Sequence, residues 1–487
     1  MLNRAREHKV FFLIFIISGL VFIPFFGEHW VHDTYLVARY GYGHMIPRLF
    51  NQGRVIASLF QRGLDAVPIS YTTAMSISVL LSLVFLSLAS YLVYVTAKEH
   101  GVSGKLGAAT ALIGSAGIFF NLFVVETLMF FESAAVSFGA LTAVLAARAV
   151  LRGKYVPAFI LAVVSVFCYQ AVIAYFLPLV LLFPTDRRKK IIAFAVYATA
   201  LVTNYGFTRL ISTDARVAGT VNIWANITGC YYEIRSFLSS TLQMTPKFLF
   251  FAFIFVFAVI ITYQSVSSKK IQPLLRAAVA CGALVVCAML PHVMMSYFYV
   301  MPRSALALAG VGGLLVVAIA QGTGERGERR EERGERTGND GCVRVLRVVS
   351  LVLAVVFTVI IAGFQLDMQI SSIRNNRLDA VEIALAAEEI RKYEAESGFV
   401  ITHVYLLNDS RTVFFRPDFR KYHDLTIRTL SVSWMVAPHF SDALGRELSD
   451  LPTPEGAFER LFAGREWDDF DPEQMVFEDN FLYFCIY

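Results

Sequence analysis

Long apolar runs separated by short polar stretches set the rhythm of this chain. They cover 11 to 26, 72 to 97, 106 to 125, 133 to 150, 156 to 183, 191 to 211, 247 to 264, 274 to 290, 303 to 320 and 346 to 365. A helix that crosses a bilayer satisfies its own backbone and needs roughly 20 mostly apolar residues, so the pattern predicts membrane helices rather than the alternating strands of a barrel. The run from 156 to 183 is long for one crossing, and "CYQ" at Cys168 to Gln170 puts polar groups near its middle. A tight pair of short spans with Tyr169 and Gln170 near the turn is expected there, which gives about eleven crossings in all.

Lys and Arg orient the bundle, because they gather on the cytoplasmic side. "MLNRAREHK", "KEHGVSGK", "RAVLRGK", "TDRRKK" and "SSKK" are then inside, and the segments 27–71, 126–132, 212–246 and 291–302 are outer loops. The first apolar run has the basic start of a signal peptide, but no small-residue cleavage pattern follows, and it is expected to stay as the first helix. The Gly/Glu/Arg repeat at 322–340 is too polar to build a core and reads as a solvated inner loop. Beyond it the pattern changes: "LDAVEIALAAEEIRKYEAE" has helical periodicity, while "FVITHVYLLN" and "NFLYFCIY" read as strands. The expected fold is an all-α polytopic membrane bundle over 1–365, followed by a small extracytoplasmic α/β domain over 366–487.

Composition strengthens this picture, with 56% hydrophobic and only 17% charged residues. The net charge of +5 adds little, because the basic residues follow membrane side and form no nucleic-acid patch. Of the 6 cysteines, Cys230 and Cys485 alone fall in segments read as outer, and no CxxC occurs. Two unrelated thiols are expected there rather than a disulfide.

Ionisable groups at a bilayer boundary are costly and therefore raise a functional question. His32, Asp33, Arg54, Glu126, Glu132, Gln170, Asp214, His292 and Arg303 all fall on the outer side of this topology. Asp33 can act as general base toward a hydroxyl acceptor, and Arg54, after Gly53 in "NQGR", offers a forked donor to phosphate or carboxylate. Glu126 and Glu132 flank "TLMFF" and suit a second acid or a sugar-hydroxyl acceptor. Tyr169 and Gln170 can hydrogen-bond a sugar or a neighbouring helix, Arg303 suits a lipid phosphate, and His292 reads as structural. HExxH, GxSxG, a Walker loop and paired His/Cys spacing are all missing from the sequence.

The order "HDTY" after the first span, "NQGR" before the second, "ETLMFFE", "CYQA" and late "MPRS" resembles the bacterial Gtr-type membrane glucosyltransferases, of the GT-C class. The resemblance covers nearly the whole chain in layout. It implies transfer of a sugar, typically glucose, from a polyprenyl phosphate donor to a surface polysaccharide or glycolipid acceptor outside the cytoplasmic (inner) membrane. Asp33 and Glu126 would then be catalytic. His32, Tyr35, Arg54, Glu132, Tyr169, Gln170 and Arg303 would bind substrate. Many GT-C enzymes carry paired acids in the first loop, whereas His32 precedes Asp33 here, which leaves use of a divalent cation, Mg²⁺ or Mn²⁺, open. The competing expectations are a transporter or flippase of lipid-linked sugar, and a membrane scaffold that presents the tail to a partner.

Overall fold

The computed structural model describes residues 2–213, 219–244, 247–267, 271–331, 340–408 and 428–486. Its helices are α1 (Leu2–Val21), α2 (His32–Tyr40), α3 (Ile46–Asn51), α4 (Val55–Asp65), α5 (Tyr71–Glu99), α6 (Gly104–Phe119), α7 (Val124–Met129), α8 (Ser133–Leu151) and α9 (Tyr155–Cys168). They continue as α10 (Phe176–Leu182), α11 (Arg187–Ile211), α12 (Ile223–Met244), α13 (Lys247–Ser267), α14 (Gln272–Val293), α15 (Val311–Glu331), α16 (Asp340–Ser397), α17 (Ser433–Leu444) and α18 (Ala457–Leu461). The strands are β1 (His403–Asn408), β2 (Ser449–Asp450), β3 (Met475–Glu478) and β4 (Phe481–Ile486). Two compact units result: Met1–Gly27 with Val37–Leu366, and Glu28–Leu36 with Asp367–Tyr487.

The first unit is helical. Among the described residues, 6 helices are long and apolar enough to cross a membrane: Tyr71–Glu99, Ser133–Leu151, Arg187–Ile211, Gln272–Val293, Pro302–Gln321 and Val345–Ser397. Shorter apolar helices lie at Lys9–Val21, Gly104–Phe119, Tyr155–Cys168, Gln170–Leu182 and Ala252–Val266. This is the make-up of a helical membrane protein. Helix α8 is 89% buried across its apolar window and packs on α5, α9 and α10, so it is the central helix of its neighbourhood. By contrast, Phe12, Ile16 and Leu20 of α1 and Val352, Val355 and Val359 of α16 leave apolar side chains exposed, as a lipid-facing surface does.

Helices α6 and α15 meet at backbone distance. A Cβ on Gly114 would stand 2.8 Å from Val317 N and 2.9 Å from Gly313 O, so small residues set this approach. The long run from 156 to 183 is broken where its polar pair stands: Tyr169 is extended (φ −163, ψ 123), and a 3-10 helix over Gln170–Tyr175 leads into α10. The expected loop at 27–71 is largely helical, comprising α2, α3, α4 and a 3-10 turn at Tyr42–His44. Similarly, 212–246 contains α12, and α15 runs on to Glu331 inside the stretch read as an inner loop. The rest of that stretch up to 339, like Asp214, lies outside the described residues.

The second unit is a four-stranded sheet of order β2-β1-β4-β3. Its two central strands are parallel, with Tyr405 opposite Tyr483 and Leu407 opposite Cys485, while β3 runs antiparallel to β4. Strand alternation sends Val404, Leu482, Phe484 and Ile486 into a core with Ile383, Ala386 and Ile390 of α16 and Val436 and Phe440 of α17. Leu407, Tyr483 and Cys485 face Ala457 of α18 and Phe462 on the other side. The helix and both strands read from the tail sequence are present. Unexpectedly, the helix is continuous with the last apolar run as a single α16 of 58 residues. Cys230 and Cys485 are buried free thiols.

One assignment is corrected. Glu28–Leu36, read as part of the first outer loop of the membrane domain, belongs to the C-terminal unit. The reason is specific bonding. Asn376 holds the backbone of Trp30, and the Tyr35 hydroxyl donates to Asp442.

Candidate functional site

The candidate residues divide between the two units. Arg54, Glu126, Glu132, Tyr169, Gln170 and Arg303 lie in the helical unit, whereas His32, Asp33 and Tyr35 lie in the C-terminal unit.

In the helical unit, two Arg–Glu pairs form one electrostatic cluster. Arg54 directly precedes α4, and its Nη1 donates to both carboxylate oxygens of Glu132, at 2.9 and 3.0 Å. Glu132 stands at the N-cap position of α8 without a side-chain capping bond, at the end where the helix dipole favours an anion. The Arg54 guanidinium also lies over the Tyr169 ring, 4.4 Å from its centroid. Burial alone would lower the Arg54 pKa, but Glu132 and Tyr169 outweigh it and leave the pKa raised, so the guanidinium stays charged.

Arg303, at the start of the 3-10 helix Pro302–Gly310, is tied twice to Glu126 of α7. Its backbone N–H donates to Oε2 at 2.6 Å and its Nη1 to Oε1 at 2.5 Å. Its guanidinium lies 3.9 Å from the centroid of Phe130. Arg54 feels the charge of Arg303, and Tyr169 feels all four ionised groups, so the two pairs share one neighbourhood around Tyr169. Glu126 is 1% exposed and Glu132 4%, which makes both carboxylates interior anions that need their arginines.

The backbone at "NQGR" is shaped by its neighbours. Gln170 Nε2 donates to Gln52 O at 2.7 Å, and Asn204 Nδ2 donates to Gly53 O at 2.9 Å. Gly53 has φ +75, and a Cβ there would collide with Thr208 Oγ1. Gly53→Ala is therefore expected to cost on the order of 1–3 kcal/mol through left-handed backbone and overpacking together. An unchanged melting temperature of the detergent-solubilised variant would contradict this close approach.

Chemically, the cluster has donors to spare. The buried Arg54 Nε has no hydrogen-bond partner among the described residues, although a guanidinium carries five N–H donors in a fork suited to phosphate. A hard cation fits poorly, because both glutamates are already engaged by arginines. Among the described residues no group of three or more His, Cys, Asp or Glu is placed to hold a metal ion. His292 is buried, with Nδ1 3.1 Å from Tyr299 O and Nε2 3.2 Å from Ser304 O.

In the C-terminal unit, Asp33 sits half-buried in the first turn of α2. His32 meets Trp434 edge-on with ring centroids 5.3 Å apart, and Tyr35 packs on His439 at 3.9 Å. His439 Nε2 is 2.9 Å from Thr429 Oγ1, whose hydroxyl donates to Asp379 Oδ2 at 2.7 Å. Asp379 also accepts from Arg428 Nε at 2.6 Å, and Arg428 Nη2 donates to Glu382. Burial opposes charge on Arg428, but Asp379 and Glu382 outweigh it and push its pKa well up.

Sequence reading passed over Asn376, Asp379, Glu382, Arg428, Trp434, His439 and Asp442. A signal existed for Asp379: positions 379, 383, 386 and 390 fall in one helical stripe, so an acid there shares the face of Ile383, Ala386 and Ile390. No protein-family model, curated protein or solved structure matches this chain.

Proposed function

We propose that this chain is an integral membrane glycosyltransferase, moving a sugar from a polyprenyl phosphate donor to an extracytoplasmic acceptor such as a surface polysaccharide. The observation that carries the reading is the paired cluster around Tyr169, where the buried Nε of Arg54 is unspent. A donor phosphate fits this chemistry. Its oxygen takes the free N–H, and the carboxylates of Glu132 and Glu126 keep the arginines aimed. The acceptor hydroxyl oxygen bonds to the anomeric carbon, the bond from that carbon to phosphate oxygen breaks, and polyprenyl phosphate leaves as an anion. Asp33 takes the acceptor proton in this reading, a role it holds from the resemblance of "HDTY" to Gtr-type glucosyltransferases, which also makes glucose the proposed sugar. Glu126 is then an anchor for Arg303 rather than a base, because both its oxygens are engaged.

The six long and five shorter apolar helices together make eleven crossings in this proposal. The N-terminus is cytoplasmic and the C-terminal unit extracytoplasmic, following the distribution of Lys and Arg.

Arg54→Ala is expected to lower glycan glucosylation roughly a hundredfold at unchanged protein level. Lipid-linked glucose should accumulate at the same time. Normal glucosylation of the surface polysaccharide in cells making this variant would sink the phosphate role. A second reading, a transporter of lipid-linked sugar, is favoured by the helix break at Tyr169, since interrupted helices line transport sites. Movement of the intact lipid-linked sugar across vesicles of purified protein, without sugar transfer, would decide for it.

A further inference from the structure

We propose that the C-terminal unit is a positioning device for Asp33, and that Asn376, His439 and Asp442 do this work. The inference rests on the reading of Asp33 as general base. Asn376, His439, Asp442 and the segment 28–36 all belong to the C-terminal unit.

The segment before Asp33 is held as a neighbouring strand would hold it. Trp30 N donates to Asn376 Oδ1 at 2.8 Å, and Asn376 Nδ2 donates to Trp30 O at 3.0 Å. One side-chain amide thus satisfies both backbone groups of one residue. The turn into α2 is closed locally, because Val31 N donates to Thr34 Oγ1 at 2.7 Å and that hydroxyl donates to Val31 O at 2.8 Å. Thr34 and Val31 are buried, so this closure is shielded from water.

After Asp33 comes the second grip. Tyr35 packs at a tilt against His439, and its hydroxyl donates a hydrogen bond to Asp442, both on α17. His439 leans in turn on Thr429, and Thr429 on Asp379, whose carboxylate is locked by Arg428. A chain of side chains therefore runs from a buried ion cluster to the residue two positions beyond Asp33. With Trp30 fixed on one side and Tyr35 on the other, Asp33 has little backbone freedom left. A base gains from such restraint, since a displacement of about 1 Å can cost on the order of a hundredfold in rate.

The test uses the full chain in lipid nanodiscs, with polyprenyl phosphate glucose as donor and the host polysaccharide as acceptor. Hydrogen exchange of residues 28–36 is followed in parallel. Asn376→Ala, which removes both bonds to Trp30, is expected to speed exchange of that segment at least about tenfold. The amides of β1 and β4 should keep their protection. It is also expected to lower kcat about a hundredfold with little change in the KM for donor. Tyr35→Phe, which keeps the ring on His439 but loses the bond to Asp442, is expected to fall between Asn376→Ala and the parent in both readouts. Loosened 28–36 with normal kcat would overturn positioning, provided Asp33→Asn is inactive. Unchanged exchange in both variants would overturn the grip itself. Full activity of Asp33→Asn would instead sink the base assignment, and the positioning role with it, whatever the exchange shows.

Discussion

Asp33→Asn is expected to reduce sugar transfer by about 10²–10⁴-fold, the usual contribution of a positioned general base. Asparagine has the same shape as aspartate but does not take up the acceptor proton, so the change isolates that function. Asp33 is half-buried in the first turn of α2, where losing a favourable charge at a helix start costs about 0.3–2 kcal/mol. The local backbone keeps its other supports, since Trp30 stays on Asn376, His32 against Trp434, and Tyr35 on His439 and Asp442. Protein amount and membrane insertion should therefore match the parent. Surface glycan labelling, with quantitation of the variant in the membrane, reads the effect; normal labelling would remove Asp33 from the mechanism.

A stability effect of comparable weight is expected from Arg428→Met. Arg428 is fully buried between Asp379 and Glu382, themselves 1% exposed, so its charge is held away from bulk solvent. Methionine fills much of the volume but leaves two interior carboxylates without their cation. Breaking a buried pair in this way costs about 3–5 kcal/mol, because the abandoned charge carries its desolvation penalty alone. Glu382→Gln should cost less, because Arg428 keeps Asp379, and Asp379 keeps the N–H and hydroxyl of Thr429. Denaturant unfolding of the solubilised full chain, followed by protease sensitivity of the C-terminal unit, gives the comparison. Equal stability of Arg428→Met and parent would mean that the carboxylates find other partners.

How far these features were legible in the sequence depends on how local their causes are. The long apolar helices were readable because each satisfies its own backbone and declares itself by twenty neighbouring residues. The break at Tyr169 was readable from one polar pair in an apolar run. The tail strands were readable as short runs rich in aromatic and aliphatic residues around Val404 and Leu482. The union of the last apolar run with the tail helix was not. Between Gly363 and Leu378 there is no proline to end a helix, and polarity alone does not stop one. Pairings over long separations were equally hidden. Arg54 reaches Glu132 across 78 residues and Arg303 reaches Glu126 across 177, so the sequence offers the four charges but not who holds whom. Arg54 and Glu132 were thus expected as separate substrate contacts, where the structure binds them to each other. Misassignment of Glu28–Leu36 has the same origin, since its anchors come from residues 376 to 442.

The bond between Trp30 and Asn376 spans 346 residues, and this has a consequence for biosynthesis. At about 5–20 residues per second, a ribosome that has made Trp30 needs roughly 20–70 s to reach Asn376. Throughout that interval the segment carrying Asp33 waits without its anchor, while one apolar helix after another enters the bilayer. On the proposed mechanism, a chain released early is an inserted bundle with an unanchored base. On that proposal, competence to transfer sugar is deferred until the C-terminal unit has been made.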